Sequence, residues 1–194
     1  IKNHDPEQWP HFKGGFGEYV YIFPNTFVWK VPEDMPSKIA AILDPMAVAV
    51  RAVEQAMTSI GGLDEGLSTT STCLVIGAGP IGIMTGMYLK AMGVEKLIMS
   101  DFMDEKLENA KNISGADVVL NMAGLSMEEQ IQKVMDVTDG LGANVVISAA
   151  NAPAAAIGGL QMVRKLGHYV EIGMAGGLGN RAPMDVQFHD IVFS

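Results

Sequence analysis

The chain has 194 residues, 48% of them hydrophobic and 18% charged, with a net charge of −9 and a single cysteine. These values fit a globular core, the single cysteine excludes an intramolecular disulfide framework and a cysteine-rich zinc lobe, and the acidic balance argues against nucleic-acid binding. No apolar run approaches the roughly 20 residues of a membrane span, and the opening IKNHDPEQWPHF lacks a signal peptide's apolar core, so a cytoplasmic protein without membrane or nucleic-acid partners is expected.

Two textures divide near residue 45. FGEYVYI (16–22) and FVWKV (27–31), with a turn at Pro24-Asn25, predict short antiparallel strands, too few to close a core. The run 36–57 turns helical, with Pro45 as an interruption and Gly61-Gly62 as its close. Beyond it, β-branched runs at 73–76, 97–99, 118–120, 144–147, 169–172 and 191–193 alternate with helical stretches at 81–92, 103–113, 126–138 and 152–166. Parallel strands need crossovers of about a dozen residues, so this alternation predicts an α/β, doubly wound parallel six-stranded sheet. Met84, Met87, Met92 and Met162 read as core filler on the helices.

CLVIGAGPIG places Gly77, Gly79 and Gly82 in GxGxxG spacing between a strand and a helix. Gly77 would permit the tight turn, Gly79 the close approach of a pyrophosphate, and Gly82 close packing of helix on strand, with the anion on the helix N-terminus. Asp101 ends the next strand, 19 residues after Gly82, where a carboxylate can accept from adenosine ribose hydroxyls; it reads equally as the N-cap of the following helix. Lys106 can reach the same ribose. A carboxylate there repels a 2′-phosphate, and Phe102 and Met103 provide no arginine to receive one, so NAD is expected over NADP.

GGFGEYVYI, VPEDMPSKIAAILDPMAVAVRAV, CLVIGAGPIG, TDGLGANVVISAA and LGHYVEIGM, in that order, resemble the zinc-type medium-chain alcohol and polyol dehydrogenases, nearest the sorbitol, threonine and butanediol branch. The resemblance runs from about Gly14 to the end. It implies that residues 1–45 close an incomplete GroES-like catalytic domain and 46–194 form a Rossmann NAD-binding domain. Gly79, Pro80 and Ile81 would then line the pyrophosphate and nicotinamide ribose. Val48 and Ala149 would flank the cofactor, and the backbone at Ile172 and Met174 would meet its carboxamide. Asp44, before Pro45, matches the acid at the third protein position around the family's catalytic zinc, whether as a ligand or through water; it reads equally as a helix-terminal acid.

The sequence departs from the family pattern elsewhere. The family's zinc-ligating cysteine and its Gly-His-Glu histidine have no counterpart, Cys73 falls in a cofactor-domain strand, and both ends read as cut. The resemblance implies hydride transfer between a secondary alcohol or polyol and NAD in an intact zinc enzyme, paired as a homodimer or tetramer, with this portion inactive by itself. A noncatalytic NAD-binding module and a zinc-independent quinone reductase are the competing readings. The truncated β-segment weighs against the first, and GAGPIG with Asp101 weighs against the second.

Overall fold

Strand-forming runs that are apolar on both faces must be covered on both, and the chain meets this with helices above and below one sheet. A computed structural model describes residues 15–57 and 67–174. It forms two compact units, 1–40 and 41–194.

The larger unit carries a five-stranded parallel sheet in the order β3-β2-β1-β4-β5. Its strands are β1 (Thr72–Ile76), β2 (Lys96–Asp101), β3 (Val118–Asn121), β4 (Ala143–Ser148) and β5 (Val163–Glu171). The helices described in this unit are α2 (Leu43–Ala56), α3 (Pro80–Ala91), α4 (Asp104–Asn109), which continues as a π-helical turn over Ala110–Ser114, α5 (Met127–Asp136) and α6 (Pro153–Met162). Alternation along each strand divides the core. Cys73, Val75, Leu97, Met99, Val145 and Ile147 pack with Val53 of α2, Leu89 of α3 and Leu107 of α4. Leu74, Ile98, Leu120 and Val146 pack on the other side with Val134 of α5 and Met162 of α6. The expected strand at 191–193 lies outside the described residues, as do Gly61 and Gly62.

Three expectations change in the larger unit. Pro45 does not interrupt its helix. It sits in the first turn of α2, where its missing N–H has no intrahelical acceptor to lose, and the break falls just before, after the short α1 (Ser37–Ala40). The helix expected over 152–166 ends at Met162, because Val163 turns extended and pairs with Ala143. A left-handed Leu166 (φ 62) then shifts the register before His168 pairs with Val145. Met87 is exposed rather than core.

In the smaller unit, 16–22 and 27–31 form no strands. The turn between them is present: the Thr26 N–H donates to the Phe23 carbonyl at 3.1 Å across Asn25, which is left-handed at φ 64. Tyr19, Phe27 and Trp29 are exposed. Strand preference expresses packing on a pleated, half-buried surface, and the described residues of this unit offer none.

Candidate functional site

The C-terminal ends of four parallel strands meet where the order of strand addition reverses, between β1 and β4. The Gly77 N–H donates to the Ser100 carbonyl (2.8 Å), Ala149 to Ile76 (2.8 Å) and Ile172 to Ser148 (2.9 Å). The ends of β2, β1, β4 and β5 thus stand side by side at the topological switch point, where open α/β sheets bind ligands.

The glycine loop forms the middle of this crevice. Gly77 has φ +98, and a Cβ there would stand 3.2 Å from the Ala150 nitrogen. Gly82 lies so close beneath the loop that a Cβ would strike the Gly77 carbonyl oxygen. Gly79 is different: a Cβ there would meet nothing within 4 Å. Gly79 is the N-cap of α3 and Pro80 its first residue, so the amides of Ile81 and Gly82 open the helix without intrahelical acceptors.

Asp101 is the hub of the β2 end. Oδ2 accepts from the Ala78 N–H at 2.9 Å, while Oδ1 accepts from Phe102 (2.8 Å) and Met103 (3.1 Å). Met103, not Asp101, caps α4. Lys106 Nζ stands 3.9 Å from Oδ2, and Phe102 is exposed beside it. A cavity of about 130 Å³ continues from Asp101 toward α5 and α6, walled by Ile76, Met122, Met127, Ala150, Gly158 and Met162, with Ser100 and Gln130 as further polar lining.

A second, more open cleft lies between the start of α2 and the end of β5. It brings Asp44 and Val48, both exposed, to the same opening as Arg51 and Ile172. Ala149 lies behind Gly77, and Met174 is exposed with a left-handed backbone (φ 56). The crevice therefore collects Gly77 to Gly82, Asp101, Phe102, Lys106 and Ala149, and the cleft collects Asp44, Val48 and Ile172.

Metal-binding capacity in the described part is limited. Among the described residues no three His, Cys, Asp or Glu side chains gather as a metal site. A catalytic zinc takes about three protein ligands, so Asp44 cannot hold one by itself. Cys73 is buried in β1, and burial pushes its thiol up to about 12, which keeps it protonated and inert.

The sequence reading does not single out Met122, Gln130, Tyr169 or Glu171. Tyr169 donates a 2.5 Å hydrogen bond to Glu171, which also accepts from the Gly173 N–H at 2.8 Å and so ties down the residues after β5. Burial, together with the Glu171 carboxylate, raises the Tyr169 hydroxyl above the ordinary tyrosine range. The signal in sequence is Tyr169 and Glu171 two apart, on one face of the β-branched run 169–172.

Comparison with known proteins follows the same lines. D-xylulose reductase A of Aspergillus oryzae is 31% identical over 166 residues, covering 85% of this chain and 43% of the relative. The crystal structure of an alcohol dehydrogenase from Thermotoga maritima superposes with a TM-score of 0.76 at 28% identity, covering 97% of this chain and 48% of that one. An E. coli short chain alcohol dehydrogenase, solved in complex with NADH, superposes with a TM-score of 0.67 at 26% identity, covering 84% of this chain and 43% of its own. The chain thus spans less than half the length of these proteins. The family model for zinc-binding dehydrogenases matches residues 80–193, from the first residue of α3 onward. Since that match takes in more than half of the sequence, the chain belongs to the zinc-binding dehydrogenase family.

Proposed function

We propose that this chain is the cofactor-binding portion of a zinc-dependent oxidoreductase that transfers hydride between a secondary alcohol or polyol and NAD. The observation that carries the reading is the contrast within the glycine loop: Gly77 and Gly82 are crowded, while Gly79 faces open space at the N-terminus of α3. A diphosphate can approach the backbone there and meet the free amides and the positive end of the helix dipole. Asp101 would hold the adenosine ribose and Lys106 would neutralise it, with Phe102 beside the base. A 2′-phosphate would bring more negative charge to a carboxylate that is already fixed by three amides, which supports NAD over NADP.

The nicotinamide end would reach the cleft of Val48 and Ile172, past Pro80 and Ile81, with the backbone at Ile172 and Met174 meeting the carboxamide and Ala149 beside the ring. When bound, NAD accepts or returns the hydride; the chain's share is to hold the ring and keep one face covered. Asp44 stands at that cleft as one edge of a metal site whose other ligands would come from further protein sequence. Residues 1–45 would belong to the catalytic domain and 46–194 to the cofactor domain. By itself the chain would bind cofactor without oxidising alcohol, and in the whole protein it would pair as a homodimer or tetramer in the cytoplasm.

Calorimetric titration of the chain with NAD and with NADP, repeated on Asp101→Asn, tests the reading. Saturable NAD binding, weaker with NADP, with the preference reduced in the variant, is the expected result. Tighter NADP binding would overturn the role of Asp101, and no binding to a folded chain would overturn the cofactor role altogether.

A further inference from the structure

We infer that Gln130 reads the base of the dinucleotide, selecting a purine with a 6-amino group over one with a 6-oxo group. The inference rests on the dinucleotide reading above and concerns the cavity beyond Asp101.

That cavity is walled mainly by apolar side chains and alanines, and its polar side chains among the described residues are Ser100, Asp101 and Gln130. Two of them cannot distinguish one base from another. Asp101 is committed elsewhere: its oxygens accept from the amides of Ala78, Phe102 and Met103 and, in the reading above, from the ribose hydroxyls. The Ser100 hydroxyl can rotate to donate or accept, so it suits either kind of base. Gln130 differs because its amide is oriented. Nε2 donates to the Leu125 carbonyl at 3.0 Å, and the Leu125 N–H is in turn bonded to the Met122 carbonyl at 3.3 Å.

The backbone beneath Gln130 is equally firm. Its N–H donates to Ser126 at 3.0 Å, and Ser126 begins α5 with a reciprocal capping box: its hydroxyl accepts from the Glu129 N–H, and the Glu129 carboxylate accepts from the Ser126 N–H at 2.7 Å. With one N–H committed to Leu125, the amide retains its other N–H and Oε1. A donor beside an acceptor is the complement of adenine, whose 6-amino group donates while the adjoining ring nitrogen accepts. Hypoxanthine presents an oxygen at the same position, so Oε1 would face an acceptor and lose its partner. An unpaired polar group in an apolar cavity is the costly outcome that gives a site its selectivity.

The test is a fluorescence titration of the 194-residue chain with NADH and with its hypoxanthine analogue, on wild type, Gln130→Leu and Gln130→Met. Circular dichroism melts of each variant establish that it is folded. The wild type should bind NADH about ten-fold more tightly than the analogue, a ratio in the range of one amide–base pair. Either apolar variant should reduce that ratio toward one by weakening NADH while leaving the analogue nearly unchanged. Equal binding of the two ligands by wild type, or a ratio preserved in a folded Gln130 variant, would overturn the inference and leave the dinucleotide reading intact. Failure of the folded wild type to bind either ligand would overturn both.

Discussion

The Asp101 carboxylate accepts a 2.9 Å hydrogen bond from the N–H of Ala78, the residue between the first two glycines of the loop. The side chain expected to hold a ribose therefore also holds the loop expected to hold the phosphates. Asp101→Ala would release the Ala78, Phe102 and Met103 amides together. Hydrogen bonds to a charged acceptor are worth about 1.5–3 kcal/mol each, offset here by water reaching the exposed pair, so a net loss of about 2 kcal/mol is expected. Urea unfolding followed by circular dichroism would measure it; an unchanged midpoint would show the three contacts to be idle.

Gly79 and Gly82 should separate binding from folding. Gly79→Ala adds a methyl group where nothing lies within 4 Å, on an extended backbone, so the fold should stay within about 0.5 kcal/mol of wild type while dinucleotide affinity falls. Gly82→Ala drives its methyl into the Gly77 carbonyl and should cost 3 kcal/mol or more, roughly the upper end of overpacking effects. Thermal melts paired with cofactor titration would show both effects. Wild-type affinity in Gly79→Ala would remove the reason given for that glycine.

Much of this was readable in the residues and some was not. Strands buried on both faces carry continuous apolar runs, so β1, β2 and β4 are legible from Cys73 to Ile76, Leu97 to Met99 and Asn144 to Ile147. The first half of β5 is not, because Arg164, Lys165 and a left-handed Leu166 follow the helix without any turn signature of Gly, Asn or Pro before Gly167. Asp101 is visible through its distance from the glycine loop, yet its bond to Ala78 depends on two strands lying in register, which no local pattern encodes. Gln130 is a plain polar residue on an amphipathic helix until tertiary structure turns it toward a cavity.

Alkaline stability should depend on Cys73. Its thiol ionises at about 12 in the fold against an ordinary 9.0, so the folded state keeps a proton that the unfolded chain loses. The contribution is fully present below pH 9.0 and declines as pH rises toward about 12. Cys73→Ala should cost roughly 1 kcal/mol at neutral pH from lost packing and lose stability less steeply above pH 9.0. Denaturation midpoints at neutral and alkaline pH would test this, with equal slopes counting against it.

At the acid end Asp117 has the opposite sign. Burial alone would raise its carboxyl, but the Leu97 N–H at 2.7 Å and Lys90 Nζ at 2.9 Å outweigh it and hold it below the usual range. Its contribution is present above the ordinary value of 3.8 and disappears as pH falls through the lower folded value. The pair is partly exposed, so Asp117→Asn should cost about 1 kcal/mol at neutral pH and little in strong acid. A cost that does not change with pH would mean that the carboxylate's charge is irrelevant.

Gly86, one turn along α3 from Gly82, is confined in the same way: a Cβ there would stand 2.9 Å from the Ser114 Cβ and 3.0 Å from the Met99 sulfur. The two bare positions key the helix into a slot, permitting one depth and one rotation over the sheet. The heading of the α3 N-terminus is therefore inherited from the floor of the molecule rather than chosen by the loop that precedes it. Buried residues that do not line the cavity, such as Met99 and Ser114, can therefore misalign the anion cradle through α3, whereas outward positions such as Met87 are free to drift.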